Sequence, residues 1–458
     1  MNVKVKKKCT STINEYENRK IEMQYKINKH KNNIWLPPLD TKYNIASKIN
    51  SWFSILESKP QNVTFVNGKY NIIKKENVKY KSKEIILNLT KQQKLIINTW
   101  LNSYLDMYNV TLKYIKNNIK ANKNVLNYIY TRGKLLVEKQ ELINSYNKIM
   151  TRKSKKINIK VHDIDYAIKL ACSNWKSALT NFKMGNIKHF RVRYWKKQKT
   201  IKIMGLEKNN FKSGSIRKLI LGQVKGTYNG KQFKFNSINC DCRIKRENDK
   251  YFLYVPENIN LDEIKINNKK SKQITIDLGL RKFASCITEN KIVKIGEECR
   301  EIIKEYLLRK DKILNNEEIS DKIKKKNELL INRKIKNLVK EMHWKTINYL
   351  VNNYDNILIG DLSAKGIISK NGVLNKMTKR IAMYLSFCEF RQRLKYKCDI
   401  NKVKYGLINE WMTSKMCSRC GKINEKLGGN KIFKCQKCKL TIDRDINGAR
   451  NIHIKARK

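Results

Sequence analysis

The spacing of apolar residues changes period twice along this chain, and the changes mark out its parts. Residues 1–78 carry little pattern and read as a basic extension with two apolar patches, IWLPPLD and INSWFSIL, suited to docking on the body. From Glu84 a short apolar run, EIILNL, reads as a strand, and Thr90 followed by Gln93 makes a capping box that opens a helix. Ile97, Trp100, Leu101, Tyr104, Leu105 and Tyr108 recur at helical spacing and predict one buried face. Two more helical patterns follow, over 130–150 and 161–183, separated by a basic loop, TRKSKKINIK, and closed by Gly185 in the position of a C-cap. Residues 92–185 are expected to form a helical bundle.

At Phe190 the period falls to two, and FRVRYWK, TIKIMG, RKLILGQVKG, KQFKFNSINC and YFLYVPE read as short strands parted by Gly and Asn turns. Arg191 and Arg193 should share one face, which either cups a phosphate backbone or is simply a charged solvent face. At Gln273 a third pattern begins. QITI runs into Asp277, and Leu278 and Gly279 turn the chain into a second strand. Charged helices over 299–353 carry an inward stripe of Ile335, Leu338, Val339, Met342, Ile347 and Leu350, with His343 beside it as a structural residue. NILIGDL is a strand ending at Gly360 and Asp361; a helix over 374–395, the strand KVKYGLINE ending at Glu410, and a helix beginning at Asp445 complete the order.

That order is α/β, with acids at the strand ends. Asp277, Asp361, Glu410 and Asp445 are the candidates for a shared metal site, since clustered carboxylates repel one another unless a cation is held between them. Charge sharpens the picture. One hundred Lys and Arg against thirty-nine Asp and Glu give a formal net charge of +61, which a compact fold tolerates best against a polyanion. Nucleic acid is the expected partner. No apolar run of about eighteen residues suggests a membrane span, and the opening residues, MNVKVKKKCT, lack the apolar core of a secretory signal.

Cys417 and Cys420, then Cys435 and Cys438, form two CxxC pairs. Each turn aims two thiolates at one point, and the loop between the pairs lets all four sulfurs surround one structural Zn²⁺. A closed four-sulfur site holds a fold together and leaves no position for reacting water. Such cysteine usage also points to a reducing compartment. The CxC pair Cys240 and Cys242 is read as incidental.

IDLGLRKFAS, ILIGDLSAKGI, FRQRLKYK, TSKMCSRCG and DRDINGARNI together resemble the RuvC-like nuclease half of TnpB proteins. These are transposon-encoded RNA-guided DNA endonucleases related to type V CRISPR effectors and to eukaryotic and viral Fanzor proteins. The resemblance is specific over 272–452 and weaker upstream, where LNLTKQQKLIINTWLNSYLDMYNVTLKYIK resembles the entry to the family's helical recognition lobe. It implies a multidomain α+β chain. The parts would be a basic N-terminal extension (1–78), the first strand of a wedge domain (79–91), a helical recognition lobe (92–185) and a β-barrel-like wedge domain (186–271). An RNase H-like α/β RuvC nuclease domain (272–416), an inserted zinc ribbon (417–438) and a final nuclease segment with its tail (439–458) would follow.

One residue departs from the family pattern. A glutamate usually stands where this chain has Gly360, which cannot ligate metal. The nuclease is then dead, or Asp361 substitutes, or the glutamate has moved. Asp361 is one step out of register and should point to the opposite side of the sheet. Glu410, on an adjacent strand about 4.8 Å away, can deliver its carboxylate to the vacated place, as it does in a subset of TnpB proteins and one class of Fanzor proteins. Glu410 is preferred to Asp361. By the same resemblance Asp277, Glu410 and Asp445 would hold two Mg²⁺ ions, Asp445 rather than Asp443 because the ligand follows Arg and precedes Asn447 by two residues. Arg444 either contacts the scissile phosphate or pairs with a neighbouring acid. The implied partners are a structured guide RNA and target double-stranded DNA beside a short flanking motif, with no membrane and a monomer expected. The relocated glutamate and basic extension lean to the Fanzor side and a nuclear site of action, with a bacterial nucleoid as the alternative. A catalytically inactive guided repressor of the same ancestry and a resolvase-like nuclease needing no RNA are the competing functions.

Overall fold

The computed structural model describes residues 44–45, 52–53, 55–58, 78–151, 159, 161–185, 187, 189–197, 201–260, 272–288, 291–362 and 374–456. The IWLPPLD patch, most of the basic loop TRKSKKINIK and the SAKGI motif lie outside them. The chain forms two compact units, 78–259 and 1–77 joined with 260–458. Two upstream strands, β1 (Asn44–Ile45) and β2 (Ile55–Ser58), belong to the second. No helix among the described residues is long and apolar enough to cross a membrane.

The first unit opens with β3 (Val78–Asn88) and α1 (Lys91–Asn118). Thr90 and Gln93 make both hydrogen bonds of the expected capping box, and the six predicted stripe residues of α1 are all buried. The helical pattern over 130–150 is broken into α2 (Tyr128–Lys134) and α3 (Leu136–Thr151), because Leu135 leaves helical geometry at φ −105°, ψ 26°. α4 (Val161–Lys183) follows and ends before Gly185 at φ +70°, a left-handed value that glycine adopts without strain.

The strands are less regular than their sequences suggest. β4 (Ile201–Leu206) and β8 (Lys250–Asn260) stand where period two places them. RKLILGQVKG instead becomes a helical turn, α5 (Lys218–Leu221), before β5 (Lys225–Tyr228), and only β6 (Lys231–Gln232) of KQFKFNSINC is a strand. β7 (Cys242–Glu247), with four charged residues among its six, offers only Cys242 and Ile244 in apolar alternation, too short a run to read as a strand. FRVRYWK pairs with no strand among the described residues. The Asn109 amide takes the place of a ladder there, accepting from the Trp195 N–H and donating to the Trp195 carbonyl, both at 2.8 Å, while the Trp195 ring stacks on Tyr108. Arg191 and Arg193 are exposed. The six strands run in the open order β4-β7-β8-β3-β5-β6 among the described residues. Helices and strands bury one shared core, from Trp100, Ile168 and Ala171 to Leu206, Ile244 and Leu253, so 92–185 is not a self-contained bundle. Cys242 is buried in that core and Cys240 donates to the Pro256 carbonyl, which suits their reading as incidental.

In the second unit β9 (Gln273–Leu278), β10 (Ala284–Ile287) and β11 (Ile292–Ile295) form an antiparallel meander. With β12 (Asn356–Gly360) and β13 (Lys404–Ile408) they make, among the described residues, a seven-stranded sheet in the order β1-β2-β11-β10-β9-β12-β13. The described residues of INSWFSIL dock, as its apolar character suggested: β2 extends the meander beside β11, Phe53 is buried, and the Trp52 indole donates to the Leu338 carbonyl. α6 (Cys299–Asn315) and α7 (Asp321–Asn353) cover the sheet and lead into β12 (Asn356–Gly360). His343 is fully buried, bonded to the Leu385 carbonyl and Arg393 and packed against Phe283 and Phe390, as its structural reading requires.

The helix expected over 374–395 is two, α8 (Lys376–Leu385) and α9 (Phe387–Ile400), parted by Ser386 at φ 48°. β13 (Lys404–Ile408) then lies parallel to β12, and β12 parallel to β9. The chain ends through β14 (Ile432–Lys434), β15 (Thr441–Asp443) and α10 (Arg444–Ala456).

In the first unit Lys139 of α3 and Asp165 of α4 form a buried ion pair at 2.9 Å, their side chains 3% and 5% exposed. Arg132, whose side chain is partly exposed, also pairs with Asp165 at 3.0 Å. Removing the Asp165 charge therefore strands Lys139 in a dry interior, whereas replacing both Lys139 and Asp165 leaves only the solvated Arg132 without its partner. Asp165→Asn should cost about 3 kcal/mol in urea denaturation, and Lys139→Met with Asp165→Leu should recover most of it. A loss under about 1 kcal/mol for the single variant would mean that the pair is not desolvated.

Candidate active site and metal-binding ribbon

Three strand ends and one helix start supply the candidate acids. Asp277 is the penultimate residue of β9, and β12 pairs with β9 through Ile359 and Ile276, so Gly360 and Asp277 come next in that parallel register. β13 ends at Ile408, opposite Gly360, two residues short of Glu410. Glu410 therefore lies past the strand end rather than on it, in a turn closed by the Thr413 N–H and hydroxyl donating to the Glu410 carbonyl at 3.1 and 2.9 Å.

The place of the missing side chain at 360 is filled. A β-carbon added to Gly360 would fall on the Glu410 carboxyl group, overlapping Oε1, Cδ and Cγ. Glycine at 360 is thus what lets a side chain from the turn after the neighbouring strand lie across the end of β12. The same holds on the other side. A β-carbon on Gly448 would overlap Oδ2 of Asp277. Gly448 stands three residues after Asp445 on α10, so both belong to the helix face that meets the end of β9. Gly448 carries no acid, and an interior helical glycine was the signal that could have drawn attention to it.

Asp361 does something else. Its carboxylate accepts from the Glu410 N–H at 2.9 Å and from the Asn409 side chain at 3.2 Å, while its own N–H donates to the Ile408 carbonyl. It clamps the turn that presents Glu410. Asp443 is likewise occupied. It caps α10, accepting from the N–H groups of Asp445 and Ile446, and pairs with Lys282 at 2.5 Å. Arg444 donates to the Gly428 carbonyl in the ribbon, and Arg281 to the carbonyls of Gly429 and Asn430.

Electrostatics links the acids. Burial, reinforced by the charges of Glu410 and Asp445, pushes the Asp277 carboxyl well above the usual range against the opposing pull of Arg444. Burial and then Asp361 push Glu410 up to about 7, opposed by Arg391 and by a backbone hydrogen bond from Leu362. Burial and Asp443 raise Asp445, opposed by Lys282, Arg281 and Arg444. Asp443 is lowered, because Lys282 and two N–H donors outweigh its burial. Oε1 of Glu410 is buried without a hydrogen-bond partner. Mutually repelling carboxyls and an unsatisfied oxygen suit a bound hard cation, which prefers oxygen donors. The carboxylates face one another without drawing tightly together. Among the described residues only the four ribbon cysteines put three or more metal-ligand atoms all within 4.8 Å of one another.

Those four are Cys417, Cys420, Cys435 and Cys438, with Cys417 and Cys438 sulfurs 3.6 Å apart and Cys420 and Cys435 sulfurs 3.5 Å apart. Zn–S bonds of about 2.3 Å set the edge of a tetrahedron near 3.8 Å, so the cluster fits zinc. Burial pushes the Cys417 thiol up. Cys435 is lowered to about 7, its burial outweighed by the N–H groups of Cys438 and Lys437 and by neighbouring thiols. The ribbon shares a small core with Ile287 and Ile292 of the sheet and Ile446 and Ala449 of α10. α10 also grips its first knuckle through Asn447, Arg450 and Asn451, three buried residues of which the sequence had used only Asn447, as a spacing mark for Asp445.

Residues 387–452 match the family model described as Cas12f1-like, TNB domain. The chain is 32% identical over 435 residues to the TnpB-like protein L770 of Acanthamoeba polyphaga mimivirus, covering 89% of this chain and 80% of that one. It is 36% identical over 70 residues to the CRISPR-associated endodeoxyribonuclease Cas12f1 of Sulfoacidibacillus thermotolerans, 15% of this chain and 17% of that one. A cryo-EM structure of a Cas12f1–sgRNA–target DNA complex aligns with a TM-score of 0.32 at 15% identity, over 81% of this chain and 98% of that one. With multidomain α+β architecture, a four-cysteine cluster and similarity to a TnpB-like relative over most of both chains, the protein belongs to the TnpB/Fanzor family.

Proposed function

We propose that the protein is an RNA-guided DNA endonuclease whose catalytic acids are Asp277, Glu410 and Asp445. The observation that carries the reading is the Glu410 carboxyl group lying where a side chain at Gly360 would stand, beside Asp277. An inactive descendant has no need to keep a glutamate there with a buried, unsatisfied oxygen, and that weighs against the guided repressor. The formal net charge of +61 suits a long RNA and a DNA duplex, and a first unit of strands and helices apart from the acids exceeds what an unguided resolvase needs.

In this reading 272–416 and 439–458 form a RuvC-like, RNase H-like nuclease, 417–438 its zinc ribbon, and 79–91 with 186–271 a wedge domain beside the recognition lobe 92–185. Asp277, Glu410 and Asp445 would hold Mg²⁺, which when bound supplies an activated water and charge neutralisation at the phosphodiester. The chain's residues do the remaining work. Asp361 fixes the turn that aims Glu410, and Lys282 ties down Asp443 so that it caps α10 and leaves Asp445 to face Asp277. Arg444 and Arg281 hold the ribbon loop beside these acids, which supports a positioning role for Arg444. A structured guide RNA would deliver sequence by base pairing, the protein reading only heteroduplex shape and a short flanking motif. We place its action in a nucleus, as a monomer.

Three outcomes follow. Expressed with its downstream flanking DNA, the protein should copurify with one discrete RNA, and changing that RNA's variable end should redirect cleavage. Heterogeneous cellular RNA with unguided cutting, or none, would point to the competing functions. Glu410→Gln should abolish guided cleavage with RNA retention unchanged. Asp361→Asn should keep cleavage within about 10-fold of wild type, since the amide oxygen still accepts from the Glu410 N–H; the reverse ranking would make Asp361 the ligand. Finally, Gly360→Glu combined with Glu410→Ala should restore part of the activity that Glu410→Ala alone loses, because the two carboxylates would occupy one place. No recovery from a folded, RNA-bound double variant would contradict that shared position.

A further inference from the structure

Arg450 is 2% exposed and stands on α10 five residues after Asp445. Its Nε donates to the Ser418 hydroxyl at 3.0 Å, and neither Nη1 nor Nη2 has a hydrogen-bond partner. Ser418, itself fully buried, lies inside the first CxxC turn. Among the described residues no carboxylate pairs with this guanidinium, and the Ser418 that it bonds is the residue directly after the metal-ligand candidate Cys417. A buried cation without a counter-ion is costly, and such sites persist where an anion completes them. Four thiolates around Zn²⁺ carry a net charge of −2, which the burial of Cys417 and Cys435 penalises. The Arg450 charge offsets half of it.

The same helix holds the backbone on both sides of Cys417. Asn447 accepts from the Ser418 N–H at 3.1 Å and donates to the Met416 carbonyl at 2.8 Å. Asn451 donates to the carbonyls of Met416 and Thr413 at 2.7 and 2.6 Å. Thr413 in turn bonds the Glu410 carbonyl. The turn bearing Glu410, the first zinc knuckle and the helix bearing Asp445 are thus one hydrogen-bonded unit.

We infer that Arg450 is the buried counter-ion of the zinc–thiolate cluster, so that filling the ribbon with metal and setting α10 against the active site are a single event. Arg450 is a positioning residue in this account. The consequence for Asp445 rests on the nuclease reading; the pairing of Arg450 with the metallated ribbon does not.

The test uses the full chain with its copurified RNA and reads zinc, not cleavage. Zinc release to excess chelator is followed with 4-(2-pyridylazo)resorcinol for wild type, Arg450→Lys and Arg450→Gln. Arg450→Gln keeps a hydrogen-bond donor and loses the charge; it should release zinc at least about 10-fold faster, with Arg450→Lys close to wild type. Asp165→Asn, in the other unit, controls for lowered stability and should release zinc as wild type does. Release from Arg450→Gln at the wild-type rate would overturn the inference. Hydrogen exchange of the wild-type chain before and after zinc removal needs no variant: amides over 447–452 should exchange at least about 10-fold faster without zinc, and unchanged exchange would overturn the coupling. Neither readout requires DNA cleavage, so both stand or fall apart from the nuclease assignment.

Discussion

Carboxyl groups gathered in a half-buried site repel one another, and the second unit is arranged around making that gathering possible. Two absences of a side chain permit it. At Gly360 the end of β12 is bare enough for Glu410 to lie across it, and at Gly448 the surface of α10 is bare enough to press against Asp277. The parallel pairing of β9, β12 and β13 sets the strand ends level, and the remaining acids nearby are occupied, Asp361 by the turn it clamps and Asp443 by Lys282 and the cap of α10.

The ribbon extends this arrangement rather than decorating it. α10 begins at an acid of the site, reaches into the first zinc knuckle through Asn447, Arg450 and Asn451, and continues along β9, where His453 meets Thr275. Arg281 and Arg444 tie the ribbon loop back to the residues around Asp277 and Asp445. The first CxxC turn, the helix and the turn bearing Glu410 therefore share one set of hydrogen bonds.

Much of this was legible in the sequence, for physical reasons that also explain what was not. The α1 stripe, the capping box at Thr90, the strand ends at Asp277 and Gly360 and the CxxC spacing are local patterns, and local patterns survive folding. β7 escaped because charged residues fill a strand whose stability comes from its neighbours. The alternation in FRVRYWK misled because a single asparagine, Asn109, replaced the strand partner it called for. Ser386 and Leu135 broke helices whose apolar period continued across them. Glu410 was reachable by strand geometry once Gly360 was noticed. Gly448 and Arg450 were not, since their meaning lies in what touches them across the fold.

The central claim is that Glu410 supplies the carboxylate that position 360 lacks. Anomalous diffraction from crystals of the RNA- and DNA-bound protein, soaked with Mn²⁺ in place of Mg²⁺, tests it most directly. The account predicts manganese density against the carboxylates of Asp277, Glu410 and Asp445, with Asp361 still bonded to the Glu410 backbone. Manganese held by Asp361 with Glu410 turned away, or no manganese at these acids, would contradict it.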